Sequence, residues 1–234
     1  MMYDGSNTTG TYAFNPSMGE SVMYAFGMCG VRRTALTQQH FDDARMATNS
    51  MMAQWSAKGV NLWQVDLQTV SLQQGVSTYP VPPNTVVMLD TYITQNAGTA
   101  AIDRLILPIS RTEYASYPNK TQQGYPTTYW FDRLLSPSVT LWPVPDGTVS
   151  AMNYYRLRQT MDSEFANGTS IEIPVYFREP LNFGLAWRLA LSWAPDKVAM
   201  LKQLADEAYQ ASALRNIETA NTYIGPMLGG YYRP

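Results

Sequence analysis

Apolar residues recur at helical spacing near both ends of the chain and at every second position through its middle. Ser17 and Glu20 have the spacing of a capping box, in which each side chain takes a backbone N–H at the start of a helix. Met18, Val22, Phe26 and Cys29 follow on one face, and Gly30 stands where a left-handed cap ends the helix. A longer helix is predicted over residues 37–59, with Thr37 as N-cap and Phe41, Ala44, Thr48, Met51, Met52 and Trp55 inward. Lys58 and Gly59 close it with a cation and a residue that tolerates positive φ.

The period then changes to two. Trp63, Val65, Leu67 and Thr69 alternate with Gln64, Asp66 and Gln68, which predicts a half-buried strand with the first set facing inward. Val87, Leu89, Thr91 and Ile93 predict a second inward-facing row, and residues 101–107 a third strand. Ser110 and Glu113 repeat the capping-box spacing ahead of a short helix that ends before Pro118. Further strands are predicted over residues 127–134, 139–143 and 149–158, the last two joined as a hairpin at Asp146 and Gly147. A short strand is expected over residues 171–174.

Helical spacing returns after Pro174. Leu181, Leu185, Leu189 and Trp193 form one stripe, flanked by Phe183, Trp187 and Leu191, so this helix is expected to be buried on most sides. Pro195 suits the first turn of a final helix with Val198, Leu201, Leu204, Ala208 and Ala211 inward, running to about Thr219. The expected fold class is α+β: helices from both ends form a bundle, an antiparallel sandwich or barrel-like region is inserted between them, and an extended C-terminal arm follows. The divisions fall at residues 1–60, 61–174, 175–220 and 221–234.

Composition sharpens the picture. Only 15% of the 234 residues are charged, against about a quarter in an average globular protein. Sixteen Tyr, six Trp and thirteen Met accompany that shortage, and such side chains are enriched where protein surfaces meet. Both features predict a subunit covered by partners. The net charge of −2 gives no field that draws in nucleic acid, and the longest basic run is Arg32 with Arg33. A polar start without a basic region is unlike a signal peptide, so synthesis in a reducing cytoplasm is expected. No apolar run approaches membrane-spanning length.

Candidate chemistry is sparse. His40 is the one histidine and Cys29 the one cysteine, too few ligands for a zinc site. No Gly-x-Ser-x-Gly turn accompanies His40, which is read as a solvated helix histidine. A paired-carboxylate hydrolase is the alternative from another class, with Glu113, Asp132, Glu164 and Glu172 as candidates. Asp132, beside Tyr129, Trp130 and Phe131, is the most enzyme-like local feature. No cofactor is implied: Gly225, Gly229 and Gly230 lack the ending of a phosphate cradle, and Asp42 and Asp43 diverge on a helix.

The order of phrases carries more. Met51, Met52, Trp55 and Gly59 close two helices and lead into Leu62 and Trp63; Tyr79-Pro80-Val81-Pro82 and Leu141-Trp142-Pro143-Val144-Pro145 punctuate the strands; two Ala/Leu-rich helices and an extended tail follow. In this the chain resembles the head-to-tail adaptors of short-tailed phages, the P22-like tail accessory factor and T7-like tail tubular protein A group. The resemblance implies a non-enzymatic virion protein at the head–tail junction. Copies of the chain, roughly twelve, would form a ring under the portal protein, extend the DNA channel and seat the next tail component, a nozzle or fibre-bearing protein. Genomic DNA would pass through without sequence-specific contacts, and no membrane is involved. The resemblance makes residues 221–234 an arm on the portal, with Tyr223, Tyr231, Tyr232, Arg233 and Pro234 as anchors.

Overall fold

The computed structural model describes residues 14–58, 62–95, 100–164 and 169–216. Among them are five helices and one curled seven-stranded sheet, a mixed α+β arrangement. The helix α1 (Met18–Cys29) starts with the predicted box: the Glu20 N–H donates to Ser17 Oγ at 3.3 Å, and the Ser17 N–H donates to the Glu20 carboxylate at 2.8 Å. Gly30, at φ 88°, ends it. The other long helices are α2 (Gln38–Lys58), α4 (Arg178–Trp193) and α5 (Val198–Ala213), with the short α3 (Arg111–Ser116) between strands.

The four long helices share one core built from Val22, Phe26, Met51, Trp55, Phe177, Leu185, Leu189 and Leu201 among others. Gly184 lets α2 approach α4 closely, since a Cβ there would lie 2.6 Å from Met51 Sδ. Of the predicted inward stripe of α4, Leu181, Leu185 and Leu189 are buried and Trp193 partly so, while Leu191 on its flank is exposed. A wide apolar face thus need not be a fully covered one. On α5 the buried residues are Leu201, Ala205 and Ser212, a narrower set than the apolar spacing suggests. Pro195 lies in a 3-10 turn, Pro195–Lys197, that precedes α5. Residues 171–174 form no strand; a 3-10 turn, Val175–Phe177, leads directly into α4.

The strands are β1 (Val65–Ser71), β2 (Thr78–Pro80), β3 (Thr85–Gln95), β4 (Ile102–Pro108), β5 (Gln123–Gly124), β6 (Thr128–Phe131), β7 (Ser138–Trp142), β8 (Val144–Pro145) and β9 (Val149–Arg158). Seven form a sheet in the order β1-β9-β3-β4-β6-β7-β2, and β5 pairs with β8. The two edge strands, β1 and β2, are joined by only residues 72–77. A flat sheet would hold them about 29 Å apart, six spacings of about 4.8 Å. Six linking residues reach about 20–22 Å when fully extended, and these also bend at Gly75, φ 78°. The sheet must therefore curl, bringing Tyr79, Ile93, Ile106, Tyr129, Leu141, Met152 and Tyr154 into one second core.

Three predictions about the strands are corrected. The inward face of β1 is the one carrying Asp66, Gln68 and Val70, while Leu67 is exposed. The cause is Arg156, buried in β9, whose guanidinium donates to both Asp66 oxygens at 2.7 and 3.1 Å and to Asn84 and Thr85 at 2.8 Å. A buried guanidinium without partners is costly, so it sets the register. In β3 the register against β9 shifts between Met88 and Thr91, so Met88, Thr91 and Ile93 are buried and Leu89 is only partly so. That irregularity breaks the predicted single row. Third, β7 and β9 are not sheet neighbours, so the turn at Gly147, φ 90°, joins no hairpin.

Pairing is mainly antiparallel, but β4–β6 and β5–β8 run parallel. The connection through α3 carries the chain back to the end of the sheet from which β4 started. Tyr114 of α3 and Tyr117, its C-cap, then stack on Trp130 and Trp142, at 5.6 and 4.1 Å between centroids, and fasten the crossover to the sheet. The helical core meets the sheet along polar contacts. Asn49 exchanges hydrogen bonds with the Ser163 backbone, Ser56 and Gln64 meet Thr160, and Arg158 pairs with Glu172.

Candidate assembly surfaces

Two of the four carboxylates proposed from sequence, those of Asp132 and Glu172, are held by local partners. Asp132 follows β6 and accepts from the Ser138 N–H at 2.6 Å and its hydroxyl at 2.7 Å, which fixes the β6–β7 turn. Glu113 occupies the first turn of α3, where its N–H donates to the Ser110 hydroxyl. Glu172 is held by Arg158. Glu164 and Glu172 do line one hollow of about 300 Å³, and Glu113 and Asp132 are not among its lining residues. Among the described residues no three His, Cys, Asp or Glu side chains gather as a metal site would need, and no helix is long and apolar enough to cross a membrane.

His40 is not solvated. It is 7% exposed, its ring stacks on Trp193 and meets the edge of Phe26, and its Nδ1 accepts the Thr37 N–H at 3.2 Å. The ring serves as the acceptor that a Glu supplies in a capping box. Cys29 is likewise internal; its thiol donates to the Ala186 carbonyl, and burial raises its pKa. Neither residue is presented to a substrate.

Among the exposed apolar side chains of the described residues, two groups lie on the sheet part close together in sequence. The first is the β6–β7 turn, where Leu134 is 69% and Leu135 98% exposed on a loop that Asp132 holds rigid. The second is β4, where only Ile106 points into the core. Leu105 and Leu107, 59% and 61% exposed, point the other way and line a groove of about 1140 Å³ with Leu62, Val65, Tyr155 and Leu89. Tyr129 closes its floor, its hydroxyl donating to the Leu89 carbonyl at 3.3 Å, with its pKa raised chiefly by burial. Exposed apolar area of this kind marks a surface that another group covers.

The sequence carried a signal for both. Leu105-Ile106-Leu107 is apolar on both faces of one strand, and Leu134-Leu135 abuts the Ser136-Pro137 turn. The residues proposed as portal anchors, Tyr223, Tyr231, Tyr232, Arg233 and Pro234, lie outside the described residues.

Residues 31–228 match the family of the SU10 adaptor protein. The chain belongs to that family. The match spans α2, the whole sheet, α4 and α5, so it covers the sheet core and all of the helical core except the part from α1. It makes the chain a phage head–tail adaptor with a structural role in the virion, at the junction where portal and tail components meet. No curated protein matches the chain.

Proposed function

We propose that this adaptor works as the P22-like tail accessory factor and T7-like tail tubular protein A group does: about twelve copies ring the underside of the portal, extend the DNA channel and seat a nozzle or fibre-bearing protein. The family match over residues 31–228 carries the reading. The outward leucines support it, because a ring subunit makes heterologous contacts on two flanks and covers such groups only when assembled. In this reading residues 1–60 and 175–220 form the portal-side helical part and residues 61–174 the platform. Residues 221–234 are the arm, with Tyr223, Tyr231, Tyr232, Arg233 and Pro234 as its portal anchors. Tyr and Pro suit that task, since aromatic area is gained with few rotamers lost. DNA passes without specific contact, in keeping with the net charge of −2. The subunit is made in the host cytoplasm and stays monomeric until a portal ring templates it.

Sedimentation of the purified chain, alone and mixed with its portal, tests this. A slow species that moves to the portal fraction on mixing is expected. A stable ring without portal overturns the templating step, and absence of portal binding overturns the reading.

A further inference from the structure

Two features of the sheet part complement one another in shape and in charge. The β6–β7 turn carries Leu134 and Leu135, the one adjacent pair of large apolar side chains exposed among the described residues, and Asp132 holds that turn through the Ser138 N–H and hydroxyl. The groove beside β4 is the matching recess, with Leu105, Leu107 and Tyr155 on its wall. Neither Leu134 nor Leu135 lines it, so a subunit does not fill its own groove with its own turn. Charge follows the same division. Arg133 stands exposed beside the two leucines, and Asp90 stands exposed as the acidic member of the groove lining. The ion pairs among the described residues join Arg156 and Arg158 to Asp66 and Glu172, which leaves both Arg133 and Asp90 without one.

We propose that the β6–β7 turn of one copy seats Leu134 and Leu135 in the β4 groove of the next, with Arg133 set against Asp90. The inference rests on the reading of the adaptor as a ring of copies and names the contact that joins them. Turn and groove are dissimilar surfaces of one chain, so their meeting is a head-to-tail contact of the kind that rotation closes into a ring. A second copy is the fitting occupant because one chain carries both halves of the match, apolar and charged. The apolar pair supplies buried area, and the opposite charges fix its register. Because Asp132 already holds the turn, little freedom is lost on docking. Two leucines and one ion pair make a small contact, and copies set side by side on a portal meet at a far higher effective concentration than free subunits do. The contact therefore forms on the portal and not in dilute solution.

Oxidative cross-linking of the full-length chain on its portal tests this, using Leu105→Cys/Leu135→Cys. Both positions are more than half exposed, so circular dichroism should be unchanged, and the native Cys29 is buried. Under mild oxidation the double variant is expected to give disulfide-linked products beyond the dimer, while each single variant stays unlinked. Adding Arg133→Asp should lower the linked fraction at least about fivefold, and adding Asp90→Arg to that protein should restore it. Products that stop at the dimer, or linking within a single variant, overturn the head-to-tail contact. Portal-bound protein without linked copies overturns this inference and leaves the ring reading standing. Loss of portal binding by the parent chain removes that reading and this contact with it.

Discussion

The imidazole of His40, at the start of α2, stacks on the indole of Trp193, at the end of α4, with 3.9 Å between ring centroids and 24° between planes. Phe26 of α1 meets both rings edge-on, and the Trp193 indole N–H donates to Asp43 at 3.2 Å. Three helices are therefore pinned at one point by a ring cluster, and the same imidazole caps α2 through Thr37.

Replacing His40 by Ala removes the stack and the cap together, with an expected loss of about 2 kcal/mol. His40→Gln keeps an acceptor near Thr37 and should recover part of that. Urea unfolding of the three proteins measures it, and equal midpoints would show that the cluster contributes nothing.

Gly184→Ala sets a Cβ 2.6 Å from Met51 Sδ. Overpacking of this kind should cost about 1–3 kcal/mol. Met51→Ala alone leaves a cavity and is also destabilising, yet the double variant should be more stable than the sum of the two changes predicts, as expected of residues in contact. Strict additivity in denaturant unfolding contradicts the packing described.

Asp66 is held below its ordinary value of 3.8, first by the hydrogen bond from Arg156, despite the opposing effect of burial. The folded state therefore binds this proton less readily than the unfolded chain. The stability it contributes is present above the ordinary value and is lost as pH falls through the lower folded value. Stability measured from about pH 5 down to about pH 2 should fall less steeply in Asp66→Asn than in the parent. Parallel profiles would remove Asp66 from the account.

Leu134→Ser/Leu135→Ser changes two exposed side chains on a turn held by Asp132. Its unfolding free energy should stay within about 0.5 kcal/mol of the parent. In the same protein, co-sedimentation with the portal or with the next tail component should be lost. Unimpaired association with both would show that this turn is not a contact.

Much of the helical part was legible in the sequence because its signals are local. Ser17 with Glu20 and the glycine at position 30 act within one turn, and each forms as the spacing implies. The strand faces were not legible, because they depend on partners far along the chain. Asp66 turns inward for Arg156, and the irregularity at Leu89 and Asp90 arises only against β9. His40 was misjudged for a similar reason: its stacking partner, Trp193, comes from the far end of the chain. The outward leucines were half visible, as apolar residues in excess of what one strand face can bury. The proposed portal anchors rest on composition and resemblance alone.

The place of β9 between β1 and β3 has a consequence for how the protein is made. Neither strand has the other as a neighbour, so the slot between them stays vacant until the ribosome has delivered residues 149–158. The N-terminal helices wait longer, since Phe26, Met51 and Trp55 close against residues from Phe177 to Leu201. A nascent chain halted before that point carries two unfinished apolar faces and an open strand slot, the combination most prone to aggregate.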